Sequence, residues 1–189
     1  VASDETLFVI EVPGFDSLLN RYRFDQVFHQ HIHYFSLHSF KRMIDEVGGE
    51  YLTHTFNYQY WGGTMLIAFR KAASRKQDVM GDVSKPKEES IKQRYKIFVE
   101  QMQRLTETAE SLKVDPIVGY GAAQMLPTLA YHMNSDLAFL ECVLDDNPER
   151  DGLTYPHLPL SIRQPFSGET LEGKTVLITA LDSMRPILQ

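Results

Sequence analysis

The sequence predicts an α/β protein with two compact parts joined by one long amphipathic helix. Three observations carry this prediction: an apolar, strand-like run near the start, an apolar stripe with heptad spacing in the middle, and a return to alternating strands and helices in the last third. Hydrophobic residues make up 43% and charged residues 23% of the 189 residues, which is ordinary globular composition.

The first part opens on a strand. Residues 7–12 form a nearly continuous apolar run, which is typical of a strand buried on both faces of a parallel sheet. Natural chains seldom open on a central strand with so short a lead, so we expect further sequence upstream of Val1. Pro13-Gly14 then mark a turn, and residues 15–19 predict a short helix.

A second helix and an antiparallel pair of strands follow. Ser36 is placed to cap a helix that Gly48-Gly49 ends. Residues 51–58 and 65–69 predict two strands, separated by a hairpin-type break at Trp61-Gly62-Gly63. A strand, a helix and an antiparallel pair together predict the end of a larger sheet.

The middle of the chain is a linker and a long helix. Residues 71–87 are polar and have no apolar period, so they predict a linker. Beyond them, apolar residues at alternating steps of four and three define a heptad stripe. We expect this helix to lie across its own domains, since roughly three heptads are marginal for a stand-alone coil; the stripe also fits one strand of a homodimer. Its residues are Ile91, Tyr95, Phe98, Met102, Leu105, Ala109 and Leu112.

The last part predicts a small Rossmann-like, three-layer unit. Residues 116–123 run from a strand into a glycine turn, and a helix continues through Met133. Residues 139–144 and 175–180 predict further strands, and Asp182 is placed to cap a final helix. The predicted domains are therefore residues 1–71, a linker and helix at 72–114, and residues 115–189.

Bulk composition excludes several classes of function. A net charge of -6 and a pI near 5.6 give no reason to expect nucleic acid or an anionic membrane as a partner. No apolar run approaches the roughly 20 residues that a membrane span needs, and the N-terminus lacks the pattern of a secretion signal. The single cysteine, Cys142, excludes an intrachain disulfide and a cysteine-rich zinc site. We therefore expect a cytoplasmic protein.

The glycine turn after the fourth strand leaves three alternatives. Gly119-x-Gly121 would let backbone amides approach a phosphate, and Asp145 lies roughly where a ribose-binding acid of a dinucleotide site would fall. Gln124 occupies the position of the third glycine, which argues against NAD. A turn that only packs strand on helix is the favoured interpretation, and a nucleotide-phosphate contact lies between the two.

The histidine-rich segment is the densest group of reactive side chains. His29, His31 and His33 alternate, so an extended chain would place them on one face, where they could hold a metal. No carboxylate has ligand spacing to them, and we predict no metal. Histidine is also the commonest general base at physiological pH. For His33 and His38 we expect a structural role, in which the ring nitrogens fix the local backbone.

Residues 28–36, read as Phe-His-Gln-His-Ile-His-Tyr-Phe-Ser, resemble a family signature. The signature is the Tyr-His-Glu-His-x-x-Tyr-x-Ser of S-adenosylmethionine-dependent C-methyltransferases that act on nucleotide-linked keto-deoxysugars. The resemblance covers nearly the whole chain. Further segments that look like the family's elements, in the right order, are Glu11-Val12-Pro13, the helix ending at Gly48, Gly62-Gly63-Thr64, residues 118–122 and residues 145–148.

This resemblance implies a fold and a larger protein. Residues 1–71 would be the end of a class I methyltransferase sheet, followed by the linking helix and a Rossmann-like C-terminal domain. A cysteine-ligated zinc module and the first half of the methyltransferase domain, with the loop that holds S-adenosylmethionine, would lie upstream. We therefore expect this chain alone to be inactive and to bind the cofactor weakly or not at all, with the N-terminal half of the same protein as its partner.

The resemblance also implies a reaction. A base removes the proton from the carbon beside the sugar ketone, and the enolate attacks the methyl group of the cofactor. His31 matches the family's base. The residues expected to bind the substrate, a small nucleotide sugar, are His29, Gln30, Phe28, Tyr34, Gly119 and Gly121; no cofactor-binding residue is assigned in this chain.

Three departures from the family pattern leave an alternative open. Phe28 replaces a tyrosine and loses a hydroxyl that could donate to the enolate, while Gln30 replaces a glutamate and loses a charge. Gln124 breaks the usual pattern after the glycine turn. Either the substrate differs, or the chain is a catalytically degenerate nucleotide-binding or interaction module of the same fold.

Overall fold

The chain has mixed α/β structure in two units. The computed structural model describes Ser3 and residues 5–59, 62–73, 83–112, 116–166 and 171–188. The units are Val1–Lys96 and Ile97–Gln189, and the division lies inside the long helix, whereas the sequence prediction places boundaries after residues 71 and 114. Each unit has its own sheet.

The sheet of the first unit has three strands in the order β1-β3-β2. The strand β3 pairs antiparallel with both neighbours, so β1 and β2 run in the same direction. The elements are β1 (Leu7–Pro13), α1 (Phe15–Arg21), a 3-10 helix (Phe24–Gln26), α2 (Leu37–Glu46), β2 (Gly49–Asn57) and β3 (Thr64–Lys71).

The predicted burial of β1 on both faces of a parallel sheet is wrong. The strand alternates: Phe8 and Ile10 pack in the core with their antiparallel partners on β3, while Leu7 and Val9 remain 58% and 54% exposed. Successive side chains of a strand point to opposite faces, and within the described residues the core covers one face only.

The second helix begins and ends where local signals place it. The Ser36 hydroxyl accepts the backbone N–H of Ser39 at 3.1 Å, which is the predicted N-cap. Phe40 and Ile44 are completely buried against the sheet. The helix is followed by Gly48 at φ +73°, a left-handed conformation that glycine adopts without strain.

The heptad stripe packs on the chain's own elements. The helix α3 (Glu88–Ser111) follows the predicted linker, of which residues 74–82 lie outside the described residues. In the first unit, the Tyr95 ring meets Phe24 at 5.3 Å. In the second, Phe98 and Ala109 are buried and Met102 packs against the core. The homodimer stays a prediction.

The second unit contains a parallel four-stranded sheet in the order β6-β5-β4-β7, compatible with a Rossmann-like fold. The predicted cap at Asp182 is wrong, because this residue lies inside a 3-10 helix that precedes the last α-helix. The elements are β4 (Ile117–Tyr120), α4 (Leu126–Met133), β5 (Leu140–Leu144), a 3-10 helix (Pro148–Arg150), β6 (Ile162–Arg163), β7 (Thr175–Ile178), a 3-10 helix (Leu181–Ser183) and α5 (Met184–Ile187). None of the helices in the described ranges is long and apolar enough to cross a membrane.

Candidate functional site

The histidine loop, residues 27–35, is anchored at its end to the carboxyl end of β1. The N–H of Phe15 donates to the carbonyl oxygen of Phe35 at 3.0 Å, and Gly14 forms a parallel bridge with the same residue. The Asp16 carboxylate accepts the N–H of Leu37 at 2.6 Å, which also holds the start of α2. Both contacts fix the point where the loop enters that helix.

The hydroxyl of Tyr34 holds the loop together from inside. It donates to the carbonyl oxygen of Gln26 at 2.9 Å and accepts the backbone N–H of Phe28 at 3.0 Å. Burial raises the pKa of Tyr34, while its hydrogen bond to the Phe28 backbone opposes this rise. Because the hydroxyl is hydrogen-bonded to the backbone, the substrate contact predicted for Tyr34 would have to be made by its ring.

The imidazole of His31 is half-buried between two aromatic rings. Its backbone N–H donates to the carbonyl oxygen of Phe28 at 3.1 Å and closes a turn. Its ring meets those of Phe28 and Tyr34 edge-on, with centroids 5.0 and 6.0 Å apart. Across the described ranges, no group hydrogen-bonds to its ring nitrogens, so a lone pair is available to accept a proton.

His29 and His33 do not share one face with His31, although the sequence pattern predicted that they would. The turn at Phe28 prevents the extended conformation that would align His29, His31 and His33 on one face, and the first and last of these are exposed. The part of the chain that the structure describes holds no group of three His, Cys, Asp or Glu residues able to bind a metal ion. His38, in the first turn of α2, hydrogen-bonds the Val83 carbonyl oxygen through Nδ1 at 3.0 Å, the structural role expected of it.

An ion pair between Arg23 and the buried Asp25, at the base of the loop, was not predicted from the sequence. The Asp25 carboxylate, 1% exposed, accepts from Arg23 Nε at 2.8 and 3.0 Å and from Arg23 Nη2 at 2.8 Å. The available signal was the spacing of Arg23 and Asp25, two residues apart on either side of Phe24, since a buried carboxylate needs a partner. Gln30 lies exposed on the loop.

The turn between β2 and β3 meets the base of the histidine loop. A Cβ on Gly62 would lie 3.0 Å from both Cβ and Cγ of Arg23. The guanidinium of Arg21 lies 4.6 Å above the Tyr58 ring, at the end of β2. The segment that leads into the histidine loop therefore lies beside the connection from β2 to β3, while the end of the loop lies at the carboxyl end of β1.

In the second unit, the two glycines are explained by close packing. Gly119 lies inside β4, where a Cβ would come within 3.2 Å of Thr179 and Val143 side-chain carbons. Gly121 has φ +94°, and its Cβ would lie 2.4 Å from that of Ala180. The Thr179 hydroxyl donates to the Gly121 carbonyl oxygen at 2.6 Å, joining the ends of β4 and β7. Substrate binding by these glycines stays a prediction.

Asp145 is engaged inside the protein. Its carboxylate accepts the N–H of Ala122 at 2.7 Å and that of Asn147 at 3.0 Å, and it pairs with Arg150 at 2.8 Å. The interpretation of Asp145 as a ribose-binding acid is thereby disfavoured. The helix α4 begins at Leu126, five residues after the glycine turn, so the turn does not open directly into a helix.

An open cavity of about 370 Å³ lies at the opposite end of α2 from the histidine loop. Glu46, Val47, Gly48 and Ala72 line it. Among the described residues of this lining, Glu46 is the one titratable side chain.

No protein-family model matches the chain, and no curated protein matches it.

Proposed function

We propose that the protein transfers a methyl group from S-adenosylmethionine to a carbon atom of a small, nucleotide-linked keto sugar, with His31 as the base. One observation carries this proposal: the His31 imidazole is half-buried and free of hydrogen bonds to the described residues, in a loop whose end is fixed at the carboxyl end of β1. An imidazole with an available lone pair can accept a proton from an acidified carbon.

The strand arrangement supports the fold-level part of the proposal. A reversed strand, β3, lies between two strands that run in the same direction. An arrangement of this kind is expected at the end of a class I methyltransferase sheet.

The reaction asks two things of this chain. The ketone acidifies the neighbouring C–H, so that His31 can take the proton while the electron pair moves to the ketone oxygen. A donor must then stabilise the enolate oxygen. Tyr34 cannot donate, because its hydroxyl already donates to Gln26. The side-chain amide of Gln30, one residue from His31, is the proposed donor.

The described residues do not form a cradle for the cofactor, which would supply the methyl group when bound. The most suggestive group is the Ser17 hydroxyl, which is completely buried and has no hydrogen-bond partner among the described residues. The backbones of Gly63 and Gly14 pack closely around it, since a Cβ added at either position would lie 2.9 or 3.1 Å from the oxygen. We therefore propose no cofactor contact for the described residues.

A degenerate binding module is the second candidate. Phe28 has no hydroxyl, and the hydroxyl of Tyr34 is engaged with the backbone, so the loop offers no hydroxyl to an enolate. This candidate predicts ligand binding without proton removal.

Deuterium exchange separates the two candidates. The chain is incubated in D2O with a nucleoside-diphosphate keto-deoxysugar and without S-adenosylmethionine, because proton removal, unlike methyl transfer, does not need the cofactor. Mass spectrometry then follows deuterium uptake beside the ketone. We expect uptake that His31→Ala abolishes and His33→Ala, a matched substitution at an exposed histidine, leaves unchanged. Equal uptake with wild type and His31→Ala would refute His31 as the base.

A further inference from the structure

The Arg23–Asp25 pair has a rigid geometry. Both oxygens of the buried carboxylate accept from the guanidinium, at 2.8 to 3.0 Å, and Gln26 Nε2 donates to the same carboxylate at 3.3 Å. Two parallel hydrogen bonds fix both the distance and the relative orientation of the two groups. Buried ion pairs are weak evidence of stability, since the cost of desolvation offsets the attraction, so a role in conformational specificity is the better interpretation here.

The pair lies against the turn between β2 and β3. The Gly62 backbone, at φ +70°, approaches the Arg23 side chain so closely that a Cβ would have to displace it. Gln26 reaches the same glycine, with its Cγ 3.5 Å from the Cβ position. Gly62 therefore packs directly against the side chain of Arg23.

On its other side, the pair is connected to the His31 imidazole through Gln26 and Tyr34. The carbonyl oxygen of Gln26, the residue after Asp25, accepts the Tyr34 hydroxyl at 2.9 Å. The Tyr34 ring in turn contacts the edge of His31. An unbroken series of contacts thus runs from Gly62 to the His31 ring.

We propose that the Arg23–Asp25 pair is a positioning element that holds the His31 imidazole in place through Gln26 and Tyr34. The role of His31 as a base rests on the proposed function, whereas the positioning of its ring by the Arg23–Asp25 pair does not. Asp25 touches no reacting atom, so it is a positioning residue and not a catalytic one.

The first test is NMR of the histidine side chains of this chain, with Asp25→Asn as the variant. In the wild type, ring currents of Phe28 and Tyr34 should displace the His31 resonances from those of His157, which is exposed. In Asp25→Asn, we expect the His31 resonances to move toward those of His157, while circular dichroism shows a folded protein. A folded Asp25→Asn with unchanged His31 resonances would overturn the proposal.

Two further variants keep the test decisive. Glu46→Gln is the matched control, since it removes the carboxylate of the exposed Arg42–Glu46 pair, and it should leave His31 unchanged. If Asp25→Asn does not fold, Tyr34→Phe breaks the same series one contact later by removing a single oxygen. It should move the His31 resonances in the same direction, and unchanged resonances there would equally overturn the proposal.

The exchange assay separates the two proposals. A misplaced base should slow deuterium uptake about 100-fold in Asp25→Asn with little change in KM. If the spectra change as expected but the wild type exchanges no deuterium, the positioning role stands and the proposed function fails. If the wild type exchanges and Asp25→Asn matches it in both rate and spectrum, the positioning role fails alone.

Discussion

The carboxylate of Asp145 accepts the backbone N–H of Ala122 at 2.7 Å, so an acid that follows β5 holds the turn that follows β4. The same carboxylate is bound by the N–H of Asn147 and the guanidinium of Arg150. Backbone amides in a glycine turn can bind the negative charge of a phosphate. In this protein, the Asp145 carboxylate supplies that negative charge instead. The Ala122 amide is not available to a ligand while this contact persists.

Asp145→Asn should destabilise the second unit in a pH-dependent way. Burial raises the pKa of Asp145, but the Ala122 and Asn147 amides and the Arg150 guanidinium outweigh it and hold the pKa below its usual range. Because this pKa is lower in the folded state, the ionised carboxylate stabilises the fold at pH values above its unfolded pKa of about 3.9. This stabilisation is lost as the pH falls through the folded pKa. Urea unfolding should show a loss of about 2 kcal/mol at pH 7 that shrinks below pH 4.

Asp136→Asn is the control for this measurement. Asp136 is exposed and accepts one nearby N–H, that of Ala138, at 3.0 Å. Its substitution should change the free energy of unfolding by less than about 0.5 kcal/mol. A destabilisation by Asp145→Asn that is the same at pH 7 and pH 2 would contradict the argument.

Gly121→Ala should be much more damaging than Gly152→Ala, although both glycines have positive φ. The added methyl group would lie 2.4 Å from Ala180 Cβ at position 121, whereas nothing lies within 4 Å at position 152. Gly152→Ala should cost about 1 kcal/mol for its backbone conformation alone, and Gly121→Ala about 3 kcal/mol or more because packing is also lost. Equal losses in urea unfolding would exclude the steric explanation.

Elements with strong local signals could be predicted from sequence. The N-cap at Ser36, the glycine that ends α2 and the helix at the heptad stripe depend on neighbouring residues in the chain, and each is observed. The burial of β1 could not be predicted in the same way. An apolar run fits a strand covered on one face as well as on two, and its partner β3 lies more than 50 residues away.

The candidate site could be predicted in composition but not in geometry. The histidine signature marked the loop, yet the alternation of His29, His31 and His33 suggested one shared face, which the turn at Phe28 removes. The role of the Arg23–Asp25 pair could not be predicted, because it depends on the burial of Asp25 and on the close approach of Gly62 to Arg23. Neither feature is visible in a local sequence pattern.

Asp146→Asn should lower the pKa of Tyr120. The hydrogen bond of 2.6 Å from the Tyr120 hydroxyl to Asp146 is the main cause that raises this pKa to about 12, with burial second. Burial is the main cause of the pKa of about 12 at Tyr155, which serves as the internal control. In an NMR titration of the tyrosine ring carbons, the midpoint of Tyr120 should move toward about 10 while that of Tyr155 does not. Movement of both midpoints by the same amount would show a general change in structure instead.

Lys41→Met should raise the pKa of His54. Burial lowers this pKa, the Lys41 ammonium lowers it further, and Asp16 opposes both. Lys41 is 7% exposed and lies 4.5 Å above the Tyr51 ring, whose hydroxyl is 2.6 Å from His54 Nδ1. Removing the ammonium leaves the burial in place, so the pKa should rise without reaching its usual value, as measured by NMR titration.

The same shift makes stability depend on pH. Because the folded pKa of His54 lies below the unfolded value of about 6.5, the unfolded chain binds more protons between these two values, and the free energy of unfolding falls as pH drops through that window. Lys41→Met should make this fall smaller, whereas Lys92→Met, which removes an exposed lysine of α3, should not alter it. A His54 titration midpoint that is identical in the wild type and Lys41→Met would show that the ammonium exerts no effect on the imidazole.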